Sequence, residues 1–241
     1  FEFIAIADHG LSAEALDVTD GIMDDKTIQM VTISGDISYA DGDQSVWDEW
    51  FQAQEGSMVS VPWVTAVGNH ENETGIGYEA YEHRFDSDKE TESESFWYSR
   101  NVPGMHLIFM STEHEYSIGS EQYTWLLSDL KNANTPSARE EFPFIIVFGH
   151  KPMYSSNSYH GSESNLRNAI EEMYVKYGVD LVLAGHDHFY ERTWTVIAEQ
   201  VADKGESEGI FVRGHAPNQL VIGIDGRAVT EGVAEAESDL R

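Results

Sequence analysis

No cysteine occurs among the 241 residues, which excludes disulfides, thiolate metal ligands and a cysteine nucleophile together. Any metal must be held by oxygen and nitrogen. Basic residues are scarce as well: 14 Lys and Arg stand against 43 Asp and Glu, a formal net charge of -29. So acidic a surface is not built to hold nucleic acid or an anionic membrane, and its simplest meaning is a solvated surface tolerant of salt or acid. No apolar run reaches the ~20 residues of a membrane-spanning helix. The chain starts at Phe1 instead of Met, as a processed or trimmed chain would.

What is present is a chain with 41% hydrophobic residues, enough for one large α/β core. We expect a single catalytic domain over residues 1–229 and an acidic, frayed tail over 230–241. Strands are expected at Phe1–Ala7, Ile28–Ser34, Val61–Val67, Phe142–Phe148 and Val179–Ala184, where apolar and β-branched residues run together. A strand pair is expected around Pro103-Gly104, and further strands in Thr193–Val201 and Phe211–Ile224. Helices are expected at Ser12–Asp25 with Ser12 as N-cap, at Gln44–Gln54 where Trp47, Trp50 and Phe51 recur at helical spacing, at Ser120–Lys131 and at Ser162–Tyr177. Asp86–Ser95 reads as a solvated acidic loop. Gly75-Ile76-Gly77-Tyr78-Glu79-Ala80 matches the dinucleotide fingerprint on paper but follows polar Glu71–Thr74 instead of a strand, so it is set aside.

Five of these strands end in polar side chains: Asp8; Asp36 with Tyr39; Asn69 with His70; His150; and His186 with His188. Each alone has an ordinary explanation, because an Asp after a strand commonly forms a turn and a lone His is commonly a surface or core residue. Their joint occurrence points to a site, since open α/β sheets gather the carboxyl ends of their strands along one edge. His186 and His188 are two apart, so in extended chain they face the same side and can address neighbouring ions.

The blocks Asp8-His9-Gly10, Gly35-Asp36-Ile37-Ser38-Tyr39, Gly68-Asn69-His70-Glu71, Gly149-His150 and Gly185-His186-Asp187-His188 resemble, in order, the five blocks of the purple acid phosphatases, within the calcineurin-like metallophosphoesterases. Ser111-Thr112-Glu113-His114 and Tyr190-Glu191-Arg192 resemble further segments of that family. The resemblance runs to about Arg192. It implies two packed mixed β-sheets flanked by helices, an α-β-β-α sandwich. It also implies that Asp8, Tyr39 and His188 hold Fe(III), that Asn69, His150 and His186 hold a divalent ion (Zn, Mn or Fe), and that Asp36 bridges them. Ligand chemistry agrees with that division: carboxylate and phenolate suit a hard trivalent ion, imidazole and amide a divalent one. Three ligand charges against five metal charges would leave the centre at about +2, attractive to a phosphate dianion.

The activity implied is hydrolysis of phosphate monoesters of small molecules, with metal-activated water as nucleophile and His160 and His70 as the groups that assist the leaving oxygen and the phosphate. His160 is preferred as the acid and His70 as the phosphate binder; Tyr159 stands where the family often has a second histidine. His9 and His114 read equally as supports for the ligands or as solvated loop histidines. A secreted or extracellular location is expected. The alternatives are a phosphodiesterase or nucleotidase of the same superfamily with two divalent ions, against which Tyr39 argues, and a non-catalytic metal- or phosphate-binding module, against which the complete ligand set argues. Substrate identity, oligomeric state and pH optimum are not encoded in any motif.

Overall fold

The computed structural model describes residues 1–85, 96–203 and 216–223. The first strands and helices alternate: β1 (Phe3–Ile6), α1 (Ala13–Asp24), β2 (Met30–Ser34), α2 (Gln44–Met58) and β3 (Trp63–Ala66). This order makes parallel pairing the short solution, and β1, β2 and β3 form a three-stranded parallel sheet in that order. Ser12 caps α1 as expected, its side chain accepting the Ala15 N–H at 3.1 Å. Trp47 and Trp50 of α2 are fully buried, with Phe51 beside them, so that helical stripe is core.

After α3 (Glu79–Arg84), the hairpin β4 (Tyr98–Val102) and β5 (Met105–Phe109) turns at Pro103-Gly104, where Gly104 takes φ 81°. Then follow α4 (Glu121–Ala133), α5 (Pro136–Glu141), β6 (Phe144–Phe148), α6 (Ser164–Tyr177), β7 (Leu181–Ala184), β8 (Tyr190–Arg192), β9 (Thr195–Ile197), β10 (Gln200–Asp203) and β11 (Asn218–Ile222). The second sheet runs β4-β5-β6-β7-β11-β8, parallel through its centre and antiparallel at both edges. Mixed pairing therefore lies in this sheet, whereas the described strands of the smaller one all run parallel.

Three apolar clusters define four layers. One lies under α1–α3 and contains Trp47, Trp50 and Ile33; another lies under α4 and α6 and contains Leu126, Leu130, Ile170 and Val147. Between the sheets, Phe109 and Phe148 stack at 4.7 Å beside Ala7, Met30, Ala66 and Leu183. This is the expected helix-sheet-sheet-helix sandwich.

Local chemistry departs from the sequence reading in two places. Thr193–Val201, expected as one strand, folds back as the hairpin β9–β10 through Ala198 and Glu199, both at positive φ. Neither is Gly or Asn, so the usual hairpin signal is missing. The short helix α5 was also unmarked by apolar periodicity, although Thr135 caps it and Pro136 opens it. The acidic loop 86–95 and the tail 230–241 lie outside the described residues, as do 211–215 and 224 of the expected strand 211–224, whose other residues carry β11. No helix among the described residues is long and apolar enough to cross a membrane.

Arg139 of α5 ties the end of α6 to β6. Its guanidinium donates to the Tyr177 carbonyl and Asp180 Oδ2, both at 3.0 Å, to Pro143 O at 2.9 Å and to Gly178 O. Arg139→Ala leaves several of these acceptors half-buried without a donor, and a loss of about 2–3 kcal/mol is expected. Thermal or urea unfolding measures it, and an unchanged midpoint would remove this clamp from the account of stability.

Candidate metal centre

The parallel strands of both sheets end at one edge, and the chain holds that edge with hydrogen bonds between the two layers. Beyond β1, the N–H groups of Asp8 and His9 donate to Gly35 O and Asp36 O at 3.0 and 2.9 Å, so the loops after β1 and β2 continue the ladder. Across the layers, the N–H of His186 donates to both carboxylate oxygens of Asp8 (3.1 and 2.9 Å), and His150 Nδ1 donates to the Ser34 carbonyl at 2.8 Å.

Asp8, Asp36, Tyr39 and His186 all stand at positive φ, between 53° and 70°. The left-handed region costs a non-glycine residue roughly 1–2 kcal/mol, so the surrounding structure must hold it, as it commonly does at functional sites. Glycine is needed where these turns approach one another. A Cβ on Gly68 would lie 2.3 Å from Asp36 Oδ1, and one on Gly35, itself at φ 81°, would lie 2.6 Å from His150 Nδ1.

Two groups of donor atoms result. In the first, the Tyr39 hydroxyl lies 3.3 Å from Asp8 Oδ1 and 3.0 Å from His188 Nε2, and His188 Nε2 lies 3.4 Å from Asp8 Oδ1. In the second, Asp36, His150 and His186 offer ligand atoms within 4.8 Å of one another. Asn69 Oδ1 joins them, 3.0 Å from His150 Nε2. Every side chain expected as a metal ligand is therefore in one of two adjoining groups.

The donor chemistry fits a cation. His150 Nδ1 donates to the Ser34 carbonyl, and its Nε2 lies 3.0 Å from Asn69 Oδ1 and 3.3 Å from Asp36 Oδ1, so the ring can donate there as an imidazolium or, once that proton leaves, turn a lone pair to an ion. With the carboxylate and amide oxygens gathered in one buried place, positive charge is required there, from the second ring proton or from an ion. The electrostatics show the same demand: burial alone would lower the His150 imidazole, but Asp36, then Asp8 and Glu113, hold it up at about 10. Burial pushes the Asp36 carboxyl up, yet His150 and His70 outweigh it and keep it below the usual carboxylate range. By contrast burial, followed by the His150 and His160 rings, holds His186 down at about 3, leaving it a neutral donor.

The two histidines expected to assist chemistry flank these groups. His70 is partly exposed, with Nε2 3.9 Å from Asp36 Oδ2, Nδ1 2.5 Å from Asp41 Oδ1, and its ring 4.6 Å from that of Tyr39. His160 lies on an exposed loop with its ring 4.1 Å from that of His186. His9 is not solvated: it is fully buried, lies 3.3 Å from Thr19 Oγ1 and accepts the Trp50 Nε1–H at 3.1 Å, and burial holds it down at about 4. It anchors the Asp8 loop to α1 and α2. His114 is half-buried among Tyr78, Phe96 and Trp97.

In the sequence Glu71 is only the last residue of a block, and the structure gives it a role. Its buried carboxylate accepts the N–H groups of Asp36 (2.9 Å), Ile37 (2.8 Å) and Gly68 (2.8 Å), locking the loops after β2 and β3 together. Burial, then the charge of Asp36, pushes its carboxyl up to about 8 despite these three donors. Glu71→Ala leaves three buried N–H groups without an acceptor, for which a loss on the order of 3 kcal/mol is expected. Denaturant unfolding tests it; a variant as stable as wild type would mean that water replaces the carboxylate.

The pattern of the Calcineurin-like phosphoesterase family matches residues 1–190, the stretch that contains both donor groups. The chain belongs to the calcineurin-like phosphoesterases. Within them, this phosphoesterase chain is similar to "Acid phosphatase type 7" of Danio rerio, 34% identical over 223 residues that cover 83% of this chain and 49% of the fish protein. It is also similar to "Fe(3+)-Zn(2+) purple acid phosphatase 12" of Arabidopsis thaliana, 36% identical over 178 residues, 68% of this chain and 37% of the plant protein. Among solved structures, the purple acid phosphatase PPD1 from yellow lupin (Lupinus luteus) seeds superposes with a TM-score of 0.82 at 25% identity, over 94% of this chain and 44% of that one. This phosphoesterase chain thus spans about half, or less, of the length of the relatives it matches.

Proposed function

We propose that this domain hydrolyses phosphate monoesters of small molecules at a binuclear Fe(III)/M(II) centre, with M being Zn, Mn or Fe. The observation that carries the reading is the arrangement around His150 Nε2, which lies 3.0 Å from Asn69 Oδ1 and 3.3 Å from Asp36 Oδ1 in a buried place. Asp8, Tyr39 and His188 would hold the ferric ion; Asn69, His150 and His186 the divalent one; Asp36, which lies against the second group, would bridge them. When bound, two such ions supply positive charge for the phosphoryl oxygens and lower the pKa of a water.

The chain's own groups do the rest. His70, held by Asp41, donates to a phosphoryl oxygen. His160 in its protonated form gives its proton to the leaving oxygen as the P–O ester bond breaks; the bond's electron pair stays on that oxygen, and water supplies the oxygen that joins phosphorus. The products are the alcohol and inorganic phosphate. The names of the relatives, acid phosphatase and Fe(3+)-Zn(2+) purple acid phosphatase, support the same class. The domain extent of 1–229 and a secreted or extracellular location belong to this proposal too.

Metal analysis combined with a panel of phosphate mono- and diesters across pH tests it. Stoichiometric iron plus one divalent ion, with preference for monoesters, is expected. Two divalent ions and preference for diesters would overturn it in favour of a phosphodiesterase.

A further inference from the structure

The loop that carries His160 leaves β6 and rejoins the fold at α6, and much of it is exposed. Many of its hydrogen bonds stay inside the loop: Asn157 Oδ1 accepts the N–H groups of Tyr159 (2.6 Å) and His160 (3.4 Å), and Ser162 Oγ accepts that of Ser155 (3.0 Å). Such bonds give the loop a shape without fixing where it sits. Two further bonds reach outside it toward the segment after β7. Ser155 Oγ donates to Asp187 Oδ2, and the Ser156 N–H donates to Glu191 Oε2 at 2.9 Å.

Both acceptors are themselves held. Asp187 is fully buried between His186 and His188, and among the described residues its other oxygen, Oδ1, has no partner and the Ser155 hydroxyl is its one side-chain hydrogen bond. Glu191 lies in β8, paired opposite Val221 of β11 at the edge of the large sheet. The loop is thus pinned at adjacent residues to the same stretch of chain that presents His186 and His188. Its far end brings the His160 ring within 4.1 Å of His186.

We infer that Ser155, Asp187 and Glu191 form a latch that positions His160 for proton transfer to the leaving group. The latch residues need touch no substrate, so they are positioning residues, and the role given to His160 rests on the phosphomonoesterase reading above. What Glu191 contributes is a hydrogen-bond acceptor on a fixed strand, so glutamine can take its place and alanine cannot.

The test compares metal-loaded wild type with Ser155→Ala, Glu191→Ala, Glu191→Gln, His160→Ala and the double variant His160→Ala/Glu191→Ala. Two esters are used: p-nitrophenyl phosphate, whose leaving group needs little protonation, and a simple alkyl phosphate, whose leaving group needs it fully. Ser155→Ala and Glu191→Ala are expected to lower kcat/KM for the alkyl ester about 10-fold or more and that for the aryl ester less than about 2-fold, since misplacing a reacting group by about 1 Å can cost 10²-fold. Glu191→Gln should stay near wild type, and the double variant should lose no more than His160→Ala alone.

Amide hydrogen exchange over residues 155–162 in metal-free protein gives a readout independent of turnover: protection should fall at least about 10-fold in both alanine variants and hold in Glu191→Gln. Unchanged protection, equal losses on both esters, or an additive double variant would each overturn the latch. Wild type that hydrolyses neither ester would overturn the phosphomonoesterase reading, and with it the role of His160, whereas the exchange data would still decide whether the loop is pinned.

Discussion

Asp36→Asn and His150→Ala are each expected to lower turnover of an aryl phosphate by about 10³-fold or more. Asp36 supplies the carboxylate charge of the second donor group and, under the proposal above, would bridge it to the first; it lies 3.3 Å from His150 Nε2 and accepts the His70 N–H at 2.9 Å. An amide in its place keeps the shape and removes that charge. His150→Ala removes a fully buried donor from the centre of the second group. Charge stabilisation by a bound ion is worth several kcal/mol in the transition state, and each 1.36 kcal/mol is a factor of ten. The change should appear in metal content as well as in rate, with circular dichroism verifying that the sheets survive. Both variants turning over at the wild-type rate with full metal content would mean that the assigned centre is not the catalytic one.

Tyr39→Phe is expected to abolish the visible absorption of iron-loaded protein and to weaken ferric binding by at least about 100-fold, more than the loss typical of a residue that only supports a ligand. The phenol sits between Asp8 and His188 at 3.3 and 3.0 Å, on a residue held at φ 55°. An ordinary tyrosine titrates near pH ~10, so only a strongly acidic ion would hold it as phenolate in neutral or acid solution. Phenylalanine keeps the ring and removes the oxygen. Titration with ferric iron, followed by spectrum and metal analysis, measures both effects. Wild type that stays colourless in every redox state and binds only divalent ions would sink the ferric assignment and favour the all-divalent alternative.

The residues that proved readable from sequence share a property: their role follows from sitting at the end of a strand. Val31–Ser34 is wholly buried, its β-branched run makes it a strand, and Asp36 must then stand just beyond the sheet edge. The same reasoning placed Asp8, Asn69, His150 and His186. It gave no place to Glu71, because a carboxylate that accepts three amides from two loops looks in sequence like any solvated glutamate. Nor did it locate the hairpin at Ala198-Glu199, whose strained turn has no turn-forming residue.

The loop of His160 is a similar case. Its distance from His150 along the chain says nothing about where it ends up; in the fold its neighbours Ser155 and Ser156 bond Asp187 and Glu191, and its ring lies 4.1 Å from that of His186. Those contacts join segments more than thirty residues apart, and no local period or turn signal encodes them.

By itself the sequence determined most strands and helices, the strand ends and the kinds of donor atom available, because these depend on hydrophobic periodicity and side-chain chemistry, which are local; the layers were implied only by the family resemblance. Only the tertiary structure decided which donors meet. Asp8 holding the His186 N–H and Ser34 holding the His150 ring are contacts between two sheets, formed when a shared apolar layer brings their edges together, and burial there turns separate polar residues into one place that requires positive charge.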